Sequence, residues 1–165
     1  MTLVVPFDGS DLAEAALIRA AEFAVVFDEP ILAVTVIPQG NTRYARENGW
    51  IGPDEEWDEK VVASRLHERV TRLAPGADFE PKLVDRYPTA GTISNRVRRV
   101  AKDVNASMVF VGSESAGQIV TSLSSVGSGI ATDRSYDVVI VRHHDPAEVS
   151  KFESRTELSE ADRSA

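Results

Sequence analysis

Two stretches of the chain collect residue types that can handle nucleosides or anions. Asp8-Gly9-Ser10 places a carboxylate, a flexible backbone position and a hydroxyl at the exit of an apolar run. Gly112-Ser113-Glu114-Ser115-Ala116-Gly117 is a run of small residues whose backbone N–H groups can approach a phosphate, with the positive end of a helix to follow. Each also has a plain structural reading: a turn with an N-cap for the first, a tight exit from a strand for the second. Arg43, Tyr44, Arg46 and Trp50 lie in a long segment, Pro38 to Gly52, and could close over an anion, although solvated loop residues account for them more simply. His143 and His144 are adjacent and point to opposite faces of a strand, which makes a poor metal pair. His67 stands alone, and Arg96, Arg98, Arg99 and Lys102 form a basic stripe that reads as a solvated helix face. Cysteine is absent, which removes disulfides, thiol catalysis and thiolate metal sites together. No histidine, carboxylate and nucleophile recur at defensible spacings. The expectation is a protein without dedicated catalysis and without a metal centre.

These residues need elements to hold them. Leu3 to Phe7 is a short, nearly continuous apolar run, as expected of a strand buried on both faces. Ser10 is a good N-cap for a helix carrying Leu12, Ala15, Ala16, Ile18, Ala20 and Phe23 on one stripe, ended by Asp28-Glu29-Pro30. Ile31 to Ile37 alternates as a second strand. Pro53 fits a first helical position, with Asp54, Glu55 and Glu56 complementing the helix end, and Trp57, Val61, Leu66, Val70 and Leu73 carry an apolar face to Pro75-Gly76. Phe79 to Val84 is a weaker strand, expected near a sheet edge. Thr92 is the expected cap of the next helix, whose Ile93, Val97, Val100, Ala101 and Val104 recur at helical spacing. Ser107 to Val111 is a fourth strand, Ser125 to Thr132 a short helix, and Val138 to Val141 a fifth strand without polar interruption. Strands alternating with helices imply an α/β fold: one open, five-stranded parallel sheet with helices on both faces. In such a sheet ligands bind beyond the carboxyl ends of the strands, where the strand order reverses.

The 165 residues are enough for one ordinary domain. That domain is expected over residues 1–144, and residues 145–165, acidic and poor in large apolar side chains, read as a disordered tail. Lys and Arg number 18 against 26 Asp and Glu, a formal charge of −8, so phosphate backbones are repelled and no nucleic-acid partner is expected. No apolar run approaches ~18 residues and the amino terminus lacks signal-peptide order, so the expected compartment is the cytoplasm, with no membrane partner.

Three features together resemble the universal stress protein family, over roughly residues 2–143. Val4-Val5-Pro6-Phe7-Asp8-Gly9-Ser10 is similar to the family's first strand and Asp-Gly-Ser turn. Val104 to Ser113 is similar to its helix exit and fourth strand, and Ser124-Ser125-Val126 to its Gly-Ser-Val helix start. The resemblance implies strand order 3-2-1-4-5, with the switch point between strands 1 and 4, and a cytoplasmic homodimer made in stress. One branch binds ATP through G-x2-G-x9-G-[S/T]. Laid from Gly112, its second glycine falls on Ser115 and its third near Ser124 or Ser125. A rival register runs from Gly117 over nine residues to Gly127-Ser128 but leaves the last strand about three residues too close, so the Ser124-Ser125 register is favoured, with Ser125 at the hydroxyl position. By the resemblance, Asp8 contacts a nucleoside, Val36 lines an adenine pocket, and Gly112, Ser113, Ser115, Ser124 and Ser125 belong to a phosphate loop. Two motif glycines are serines and Glu114 opposes phosphate, so ATP or AMP with Mg²⁺ is expected to bind weakly or not at all. The alternative is an ATP-binding member with slow hydrolysis or autophosphorylation. A receiver domain phosphorylated at Asp85 is disfavoured: Asp8 is followed by Gly9 rather than a second acid, and no lysine stands at the late strand exits. Adenylyltransferases and ATP pyrophosphatases lack support because neither His-x-x-His nor Ser-Gly-Gly-x-Asp-Ser occurs. The unbroken Val138-Val139-Ile140-Val141 run, an edge in the implied order, is expected to pair with its own copy about a two-fold axis.

Overall fold

The computed structural model describes residues 1–112 and 135–142. Five parallel strands lie in the order β3-β2-β1-β4-β5: β1 (Thr2–Pro6), β2 (Ile31–Pro38), β3 (Asp78–Val84), β4 (Ala106–Gly112) and β5 (Asp137–Val141). The helices are α1 (Asp11–Phe27), α2 (Thr42–Glu47), α3 (Glu59–Leu73) and α4 (Ala90–Asp103). The expected fold class and strand order are therefore found. β1 is central because Leu3, Val4 and Val5 have both faces to fill, and all three are fully buried.

Alternation along the strands feeds two cores. Leu3, Val5, Ala33, Ile37 and Phe110 pack with Ala16 and Leu17 of α1 and Val62, Leu66 and Val70 of α3 on one face. Val4, Val34, Val36, Val109 and Val111 pack with Val97, Val100 and Ala101 of α4 on the other. The helix ends follow local chemistry. The Ser10 hydroxyl accepts from Ala13 N–H at 3.2 Å, as expected of the α1 cap, and Asp28 closes α1 in the left-handed region at φ 52°.

Several expectations are corrected. Pro53 does not open a helix. α3 starts at Glu59, because the Asp58 carboxylate accepts from the N–H groups of Lys60 and Val61 and caps it there. The buried stripe of α3 is accordingly Val62, Leu66 and Val70, and Val61 is exposed. Thr89, not Thr92, caps α4: its hydroxyl accepts from Thr92 N–H at 3.1 Å. The long segment after β2 contains a helix of its own, α2, capped by Asn41, whose side chain accepts from Tyr44 N–H. The expected Ser125–Thr132 helix, the phosphate-loop serines Ser113, Ser115, Ser124 and Ser125, Glu114, the histidine pair and the 145–165 tail lie outside the described residues.

Candidate functional site

The strand order turns between β1 and β4, whose carboxyl ends run into Asp8 and Gly112. Asp8 is half-buried in the turn that leads into α1. One of its carboxylate oxygens accepts from Ser10 N–H at 2.9 Å, which sets the turn and orients the side chain. Gly9 makes the turn at φ +80°, and a Cβ there would stand 2.4 Å from the Arg69 guanidinium of α3. Thr35 of β2, 1% exposed, donates its hydroxyl to the Phe7 carbonyl at 2.5 Å and ties the end of β1 to its neighbour. The aspartate is thus held by strand, turn and side chain together.

The segment after β2 packs against this turn. Trp50, expected among solvated loop residues, is 2% exposed, and its indole N–H donates to the Asp8 carbonyl at 2.7 Å. Its ring meets Tyr44 edge-on at 5.4 Å. Burial raises the Tyr44 hydroxyl pKa above its ordinary value, and the nearby Asp8 carboxylate raises it further, so Tyr44 stays a neutral hydrogen-bond donor at pH 7. Arg43 and Arg46 do not converge on an anion. Arg43 pairs with Glu47 at 2.8 Å, and Arg46 donates to the Glu55 carbonyl. The signal for Trp50 was weak in sequence: a lone aromatic between glycines, whose partner is 42 residues away.

Of the expected site residues, Asp8, Val36 and Gly112 all reach the carboxyl edge, on the adjacent strands β1, β2 and β4. Val36 is 7% exposed and packs among the side chains facing α4, so it offers an apolar edge rather than an open wall. Gly112 has a specific structural duty. A Cβ on it would lie 2.4 Å from the backbone carbonyl of Leu12 and 2.8 Å from Ala13 N, so the first turn of α1 already requires glycine. Asp11 and Glu14 in that turn put negative charge where the helix end is positive, which disfavours a phosphate at α1. Asp8 has a carboxylate oxygen left to accept from a ribose hydroxyl or an exocyclic amine.

Asp85 follows β3 at the sheet edge, with β2 between it and β1, so it does not meet Asp8. The receiver order 2-1-3-4-5 would place that strand beside β1; the receiver reading falls on topology. Among the described residues no group of three or more His, Cys, Asp or Glu could hold a metal, and no helix is long and apolar enough to cross a membrane.

The model of the Universal stress protein family matches residues 1–142. No curated protein matches the chain. Among solved structures, a universal stress protein in complex with cAMP is 25% identical, with 88% of this chain and 98% of that chain covered and a TM-score of 0.54. A universal stress protein from Archaeoglobus fulgidus in complex with dAMP is 18% identical, covering 86% of this chain and 95% of that one at a TM-score of 0.54. The universal stress protein UspA of Lactobacillus plantarum is 17% identical, covering 86% and 97% at a TM-score of 0.55. The last two bear on the fold alone.

Proposed function

This chain belongs to the universal stress protein family, and from that premise we propose a cytoplasmic, non-catalytic regulatory protein of stress response that binds an adenine nucleotide weakly at the β1/β4 switch point. Asp8 carries the reading. It is half-buried at the strand exit where ligands of open α/β sheets bind, with one carboxylate oxygen spent on Ser10 N–H and the other available to a nucleoside. The likeness to a structure holding cAMP supports an adenine nucleotide as the ligand class. The acids in the first turn of α1, with Glu114 and the serines at motif glycine positions, favour a monophosphate over Mg–ATP.

Calorimetric titration of the full chain with AMP, cAMP and Mg–ATP tests the proposal. Micromolar or weaker monophosphate binding is expected, reduced at least tenfold by Asp8→Asn, which keeps the oxygen that accepts from Ser10. Absence of binding, or indifference to Asp8→Asn, overturns the site. Mg–ATP affinity tighter than ~1 μM, about −8 kcal/mol, overturns the preference for monophosphates. Gly112→Val, in contrast, tests the packing of α1 rather than the ligand.

The same reading includes a homodimer formed through β5. Ile140 is 38% exposed on an edge strand that has neither proline nor lysine. Light scattering decides it: a species of 18.0 kDa at micromolar concentration would remove the dimer.

A further inference from the structure

α3 carries Arg65, Arg69 and Arg72 at spacings of four and three residues, so the three guanidiniums share one face of the helix. They line a cleft of about 380 Å³, whose opposite wall is the Gly49–Gly52 segment. That wall is largely backbone: Gly49 has φ +70° and open space where a side chain would stand. The three arginines are not equally engaged. Arg65 pairs with Glu55 at 2.8 Å and donates to the Trp50 carbonyl at 3.2 Å, while Glu55 also accepts from Gly52 N–H. This is a closed, neutral unit that fixes the wall in place. Arg69 reaches Glu14 only at 3.9 Å, beyond hydrogen-bond range. Arg72 has no ion pair among the described residues, and Glu68 is the remaining acid on the cleft wall.

We propose that this cleft is an anion site, which takes a compact phosphate dianion between Arg69 and Arg72. Two guanidiniums presenting planar N–H forks suit tetrahedral oxyanions. A chain of net charge −8 repels anions from most of its surface, so two under-used arginines in a cleft are a local exception. The cleft also backs onto the Asp8 turn, since Arg69 lies against Gly9 and Trp50 holds the Asp8 carbonyl. Trp50 therefore reports on both. The proposal stands whether or not a nucleotide binds at Asp8.

Inorganic phosphate and glycerol 3-phosphate, titrated separately at constant ionic strength, are the probes, with the Trp50 indole N–H followed by NMR. Saturable shifts are expected, with affinity falling at least tenfold in Arg69→Gln/Arg72→Gln and unchanged in Arg96→Gln/Arg99→Gln, which removes the same charge from α4. Equal affinity for the two probes assigns the site to free phosphate, and tighter glycerol 3-phosphate assigns it to a phosphomonoester. No saturable shift, or an equal loss in the α4 variant, overturns the site and leaves general charge attraction as the cause.

Discussion

The sheet has two edges, and they are guarded differently. β3 reads Asp-Phe-Glu-Pro-Lys-Leu-Val: Pro81 removes an N–H from the middle of the strand, and Glu80 and Lys82 form an ion pair across it. The His67 ring of α3 stacks on Phe79 at 5.1 Å and covers its start. These are the usual devices by which an edge is kept from pairing with a neighbour. β5 reads Asp-Val-Val-Ile-Val and has only Asp137, at its first position. The sheet therefore has one edge built to stop and one that carries no stop signal, and association is expected at the second alone.

The largest test transfers the guard. Ile140→Lys places on β5 the kind of charge that β3 carries, at a position already 38% exposed, so the monomer keeps its fold. If β5 pairs with its copy, two like charges are buried in one interface, and the dimer constant should weaken at least 100-fold, about 2.7 kcal/mol. Light scattering and sedimentation read this directly. Val139→Asp is a poorer choice, because Val139 packs against the core on the α1 side and its loss confuses folding with association.

Gly112→Ala comes next. Gly112 pairs with Val141 of β5 and lies against the backbone of α1, so a methyl must push the helix start away. Destabilisation of about 1–3 kcal/mol is expected in urea unfolding. Any weakening of the dimer in this variant should track lost stability, whereas that of Ile140→Lys should not.

Pro81→Val removes the guard from the other edge. Monomer stability should change by less than about 1 kcal/mol, but slow, concentration-dependent scattering should appear. An unchanged solution would mean that Glu80, Lys82 and His67 protect β3 without the proline. The smallest effect belongs to Glu55→Gln, remote from both edges. The Arg65 hydrogen bond and Gly52 N–H hold the Glu55 carboxyl below its ordinary 4.5. A depressed folded pKa contributes stability that is complete above the unfolded value and lost as pH falls through the folded one. The variant should thus differ slightly from the parent at neutral pH and converge with it in acid, as followed by thermal melts.

The two edges also show what a sequence discloses. Strand identity, the order of elements and the Ser10 cap are legible because they depend on near neighbours: apolar runs, helical stripes, a hydroxyl three residues before the N–H it accepts from. Asp8 and Gly112 could be placed at the carboxyl edge for the same reason. What escaped depends on distant partners or on rival local signals. Asp58 outcompetes Pro53 as the start of α3 because its carboxylate reaches two N–H groups. Thr89 and Thr92 are equivalent in type, and only the backbone shows which accepts. α2 is six residues long and mostly polar, too short to display a period. Trp50 and Arg69 meet the Asp8 turn from elements separated from it by tens of residues, and no local pattern predicts either contact.

The position of β1 has a consequence for synthesis. Val4 pairs with Leu32 on one side and with Val109 on the other. The first partner emerges soon after β1 itself; the second follows only when most of the chain has been made. Until then a half-sheet of β3, β2 and β1 has Leu3, Val4 and Val5, all fully buried in the finished protein, as an open margin. Long-range parallel pairing closes slowly, and unpaired apolar strands invite wrong partners meanwhile. The nascent chain thus passes through a stage with a third edge, which has no guard of its own and is protected only by the arrival of β4.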